Sequence, residues 1–93
     1  MKTSKPAVRS DVSWTDVDDG GIVFDSSTDR FHTLNASAAY VWMLSDGSRT
    51  QDEIAEETSE LCGEPFEAVS KDVESVLETF RREGLLLSEN DSS

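Results

Sequence analysis

Few residues in this chain have the types and spacings that chemistry demands. His32 is the only histidine, and a general base needs a serine or cysteine nucleophile within hydrogen-bond reach. No recognised motif places either beside it. Cys62 is the only cysteine, so it has no thiol partner for an internal disulfide or a metal cluster. Next to an apolar stripe at a helix end, it reads as a small buried hydrophobe rather than a nucleophile. Asp16, Asp18 and Asp19 offer loose contacts to a cation, but the full DxDxDG and distal glutamate of a calcium loop are missing. Neither GxxxxGK nor GxGxxG occurs, so no nucleotide site is expected. The expectation is a protein with no catalytic residue, no metal and no cofactor, whose function lies in what it binds.

Composition narrows what that partner is. Ninety-three residues make one small domain, enough for a single core but not for a core plus a deep active-site cavity. A hydrophobic content of 35%, with two tryptophans and four phenylalanines, suffices for a folded unit. The formal net charge of -12, from 20 acidic and 8 basic residues, repels phosphate backbones and attracts basic peptide segments. Nucleic acid is therefore not an expected partner. No positively charged, apolar amino-terminal signal occurs, nor any run of about 18 apolar residues. A membrane span is not expected, and the location implied is cytoplasmic. Residues 1–7 and 88–93 are polar and without periodicity, which predicts loose ends around a domain spanning 8–87.

The elements that must position a binding surface can be read in order. Val8 to Thr15 alternates weakly, with Val8, Val12 and Trp14 apolar, and predicts a first strand. Asp16 to Gly21 is a turn, with aspartates for local caps and two glycines for positive φ. Ile22 to Asp25, a polar turn at Ser26 to Asp29, and a third strand at Arg30 to Leu34 complete an antiparallel meander. Asn35 caps a helix over ASAAYVWML that is apolar on nearly all sides and so is expected to be buried. Asp46-Gly47 stops it. Thr50 and Glu53 then form a capping box. Ile54, Thr58 and Leu61, with Ala55 and Cys62 beside them, give the second helix a modest core stripe. Its acids Asp52, Glu53, Glu56, Glu57 and Glu60 point away.

Gly63 and Pro65 separate the second helix from a third, which runs from Phe66 or Glu67 to Glu83. Phe66, Val69, Val73, Val76, Leu77 and Phe80 recur at spacings of three and four, the strongest periodic signal in the chain. Arg81 and Arg82 suit the negative end of the helix dipole, Gly84 closes it, and Leu85 to Leu87 fold back over the core. Three strands followed by three helices predict an α+β domain. The helical part has the outline of a winged helix-turn-helix with the wing placed first. That outline keeps an acidic winged-helix transcription regulator as the alternative. A recognition helix needs basic and amide side chains in the major groove. The third helix exposes Glu67, Lys71, Asp72, Glu74, Glu78 and Glu83 instead.

The ordered set GGIVFD, DRFHTLN, SAAYVW, DGSRT, EIAEE, DVESVLETF and REGLL resembles the PqqD-like family, the leader-recognition elements of ribosomally made, post-translationally modified peptides. The resemblance spans about Val8 to Leu87 and is closer to the free-standing recognition proteins of lasso-peptide clusters than to PqqD itself. It implies that the leader of a precursor peptide adds as a strand against residues 30–34 and packs against helix 67–83. The leader would then pass to a leader peptidase or another modifying enzyme; a PqqD-type chaperone of a radical enzyme is the family's other role. Backbone groups on an open sheet edge give such binding its affinity, and neighbouring side-chain pockets give it specificity. The implied peptide-binding residues are Arg30, Phe31, His32, Thr33 and Leu34 on the strand, with Val69, Asp72, Val73, Val76 and Phe80 on the helix. Alternation sets Phe31 and Thr33 on one face and His32 and Leu34 on the other. The helix valines and Phe80 are core residues first, with only the edge of their stripe free to line a groove. Asp72 sits one residue off that stripe, where it could meet a basic leader residue. His32 departs from the aromatic or apolar residue the family pattern implies.

Overall fold

The computed structural model describes residues 5–87. Three antiparallel strands, β1 (Ser13–Val17), β2 (Gly20–Asp25) and β3 (Arg30–Asn35), precede three helices, α1 (Ala36–Leu44), α2 (Gln51–Cys62) and α3 (Phe66–Arg82). The sheet order is β1-β2-β3, so the fold is α+β with β3 at one edge. Of the expected loose ends, residues 1–4 and 88–93 lie outside the described residues. At the other end Pro6 is buried, and its carbonyl accepts from the Gly47 N–H at 2.9 Å.

The first strand begins later than the alternation suggested. Val8 forms an isolated bridge to Leu86, and Arg9 N–H donates to the Leu85 carbonyl at 2.9 Å. Residues 8 and 9 are thus held by the carboxy-terminal tail. The chain turns before Ser13 enters the sheet, and β1 carries on through Asp16 and Val17. The following turn shrinks to Asp18 and Asp19, with both glycines inside β2. Gly20 has φ 152, and a side chain there would collide with the Leu34 carbonyl. A side chain on Gly21 would run into the Trp14 ring. These two glycines let β2 lie close to both neighbours.

Val23 and Leu34 from the sheet meet Val41, Trp42, Ile54, Val73, Leu77, Phe80 and Leu85 in one core. Trp42 is its hub. Its ring stacks on Trp14 at 6.0 Å and meets Phe80 edge-on at 5.3 Å, geometries that aromatic quadrupoles favour. The caps form as the sequence indicates: Asn35 accepts from the Ala38 N–H at 2.9 Å, and Thr50 and Glu53 close a reciprocal capping box. Four expectations of burial fail, at Met43, Leu61, Phe66 and Leu87, and Cys62, expected to be buried, is only partly so. Met43 is 51% exposed, so α1 keeps a wet side; Leu61 and Phe66 are 55% and 41% exposed. The core-facing stripe of α2 is Ile54, Ala55 and Thr58, and Leu61 stands beside a cavity instead. Leu85 is buried as expected of the tail, whereas Leu87 is 52% exposed.

Asp25 is a buried carboxylate at the end of β2. It accepts from the Ser27 hydroxyl at 2.7 Å, the Ser27 N–H at 3.1 Å and Arg9 Nη1 at 3.0 Å. Arg9 also pairs with Asp11 and donates to the Gly84 carbonyl at 3.0 Å. The β2–β3 turn, the amino-terminal arm and the end of α3 are thereby tied together. The Ser27 hydroxyl bond, followed by the Ser27 N–H and Arg9, holds the Asp25 carboxyl below the usual aspartate range against the opposing effect of burial. A depressed folded pKa contributes stability that is complete above the unfolded value near pH 4 and is lost as pH falls through the folded value. Thermal unfolding followed against pH should therefore show a decline below about pH 4. In Asp25→Asn that acid limb should be shallower and stability at neutral pH lower.

Candidate functional site

Strand β3 ends where its sequence changes role. Asn35 is both its last residue and the cap of α1, so strand and helix meet without an intervening loop. The turn before β3 is equally tight. Thr28 N–H donates to the Asp25 carbonyl at 3.3 Å, and Asp29 has φ 60. A four-residue loop built on such a turn closes on a hydrogen-bonded pair, here Asp25 and Arg30. Pairs alternate along an antiparallel ladder, so Arg30, His32 and Leu34 direct their backbone groups to β2. Phe31 and Thr33 direct theirs outward, away from β2. No strand of the described residues covers that side.

Beside this open edge runs a groove of about 320 Å³. Thr33 and Leu34 form one wall and Asp72, Val76 and Phe80 of α3 the other, with Ser37 and Ala38 of α1 at its end. A second cavity of about 550 Å³ lies between the helices, lined by Tyr40, Thr58, Leu61, Cys62, Val69 and Val73 among others. Ser37, Asp72 and Val76 border both, so the two form one trough from the sheet edge to the α2–α3 corner. Neither is lined by β1, the other edge of the sheet.

The residues singled out from the sequence separate into groups. Thr33, Leu34, Asp72, Val76 and Phe80 come together at the groove. Val69 and Val73 are buried and border the second cavity. Arg30 lies at the far end of the strand, exposed, with its guanidinium 3.8 Å from Glu83. Phe31 is on the sheet face opposite the helices and 70% exposed, with its ring 4.6 Å from Phe24. His32 is half-buried on the helix side; its Nε2 is buried and has no hydrogen-bond partner among the described residues. Sequence reasoning passed over Ser37, Ser75 and Thr79, which line the groove. The signal was available for the last two: they are four apart on α3, one step from the apolar stripe, and too small to cover it.

The chemistry such a surface offers is recognition. Burial, and then the Glu64 carboxylate, push the Cys62 thiol above its ordinary range, which keeps it protonated and poorly nucleophilic at neutral pH. Among the described residues no three His, Cys, Asp or Glu side chains are grouped to hold a metal ion. None of their helices is long and apolar enough to cross a membrane.

Fold and edge together define a small α+β domain whose sheet is open beside a helix-walled groove. Residues 20–86 match the profile of the family described as coenzyme PQQ synthesis protein D (PqqD), and the chain belongs to that family. Two solved structures share its fold. One is TbiB1 in complex with the TbiA(β) leader peptide, at 17% identity and a TM-score of 0.74, covering 94% of this chain and 98% of that one. The other is a lasso peptide synthetase B1 complexed with the leader peptide, at 15% identity and a TM-score of 0.75, covering 90% and 99%. No curated protein matches the chain at the level of sequence.

Proposed function

We propose that this protein binds the leader region of a ribosomally made precursor peptide, by strand addition to β3 and packing against α3, and delivers it to a leader peptidase or other modifying enzyme. The observation that carries this reading is the outward-facing backbone of Phe31 and Thr33 next to a groove walled by Val76 and Phe80. An added strand satisfies those backbone groups, and every second side chain of the guest drops into the groove. Two proteins of the same fold were solved with leader peptides bound, which favours lasso peptide biosynthesis as the pathway. The role is non-catalytic: His32 is turned to the core side, and the Cys62 thiol is raised by burial. It is exercised in the cytoplasm, where precursor peptides are made.

The test is a titration of the synthetic leader of the precursor encoded beside this chain, followed by fluorescence anisotropy. Saturable one-to-one binding is expected, together with faster leader removal by the co-encoded peptidase when the protein is present. A flat titration would contradict the proposal. Asp72, exposed at the border of both cavities, is placed to meet a basic leader residue. Asp72→Asn should weaken a leader carrying one by about threefold at low salt. The difference should fade in high salt as the charges are screened.

A further inference from the structure

The sheet face turned away from the helices carries a row that stops in mid-air. Ser13 of β1 pairs with Phe24 of β2, and Phe24 pairs with Phe31 of β3. The two phenylalanine rings lie 4.6 Å apart and inclined at 39°, a packed aromatic pair. Phe24 is half-covered by its neighbours, whereas Phe31, at the open edge, is 70% exposed. Edge strands are usually guarded by charge or proline. Here a large aromatic occupies the second position of the edge.

A strand added to β3 does not fill the groove alone. Its side chains alternate, so the set that avoids the groove lies on the outer face, and one member stands directly opposite Phe31. We infer that Phe31 and Phe24 form a second reading surface, on which the leader strand places an aromatic or β-branched apolar side chain that completes the row. The leader is then selected on both faces: through the groove on one, through Phe31 on the other. This rests on the strand-addition reading above, and the occupant is the leader itself because the row is continuous with the edge it pairs to. Aromatic and aromatic–β-branched pairs across strands are favoured over alanine pairs, by an amount worth up to about fivefold in affinity.

A displayed library of random peptides, selected in parallel on the wild-type chain and on Phe31→Ser, tests this. The exposed position of Phe31 leaves the fold of that variant intact, which circular dichroism verifies. On wild type, binders should show two interleaved sets of preferred positions, with aromatic or β-branched apolar residues dominating one position of the outer set. On Phe31→Ser that preference should vanish while the groove-facing set persists. Replacing the outer residue of a selected peptide by alanine should cost about fivefold on wild type and nothing on Phe31→Ser. An unchanged profile on Phe31→Ser overturns the inference and leaves strand addition standing. A selection that enriches nothing on wild type overturns strand addition, and this inference with it. If the variant alters only self-association in sedimentation, the face belongs to a second copy of the chain, and the inference is equally overturned.

Discussion

Thr33→Pro is expected to weaken leader binding about thirtyfold while the domain stays folded. Thr33 lies on β3 with its N–H directed away from β2, so proline there removes a donor from the open edge and none from the β2–β3 ladder. The proline ring also obstructs the incoming strand, so the loss reaches beyond a single bond. Two forfeited backbone bonds, each worth about 1 kcal/mol net, give a loss of that order. Proline at an edge strand is tolerated when its missing N–H would have faced solvent. Circular dichroism and thermal unfolding should accordingly be close to wild type, and anisotropy with the leader should show the deficit. Proline at His32, whose N–H faces β2, should instead damage the sheet itself.

Phe80→Ala is expected to cost about 3–5 kcal/mol of stability. Phe80 is 1% exposed and abuts the edge of Trp42, which in turn stacks on Trp14. Deleting it leaves a cavity at the point where α3, α1 and β1 share one aromatic column. Small domains have total stabilities of about 5–15 kcal/mol, so the variant should stand near the threshold of folding. Chemical denaturation measures the loss directly. Phe80 also walls the groove, so any residual folded fraction should bind leader more weakly than wild type. Phe80→Leu, which retains most of the volume, should recover much of both. A loss below about 1 kcal/mol in Phe80→Ala would contradict the packing described.

Much of this architecture is legible in the chain. The α3 periodicity, the Asn35 and Thr50 caps and the four-residue turn before β3 are local signals, and each lies within a few residues of the structure it specifies. Where the sequence misleads, the deciding partner is distant. Val8 reads as the start of a strand, yet its bridge is to Leu86, from the opposite end of the chain. Leu61 fits an apolar stripe, yet it borders a cavity lined also by α1 and α3 and stays half-exposed. Met43 belongs to a helix with no polar face, but in a domain this small even a helix packed against its neighbours keeps one side uncovered. The groove was foreseeable as a pairing of β3 with α3. Its end wall at Ser37 and Ala38 was not, because nothing local indicates which side of an all-apolar helix meets a neighbour. The facing of Phe31 and His32 follows from alternation, but which of the two turns to the helices depends on the pairing with β2.

The central claim is that a guest strand docks on β3 and on no other part of the molecule. Among the described residues the sheet has a second open edge at β1, which makes the claim specific. Amide hydrogen exchange, resolved by residue with NMR in the absence and presence of saturating leader peptide, tests it most directly. Exchange at Phe31 and Thr33 should slow strongly on binding, with accompanying shifts at Val76 and Thr79 across the groove and none along β1. Protection appearing along β1 or on α2, with Phe31 and Thr33 exchanging as in the free protein, would contradict the account.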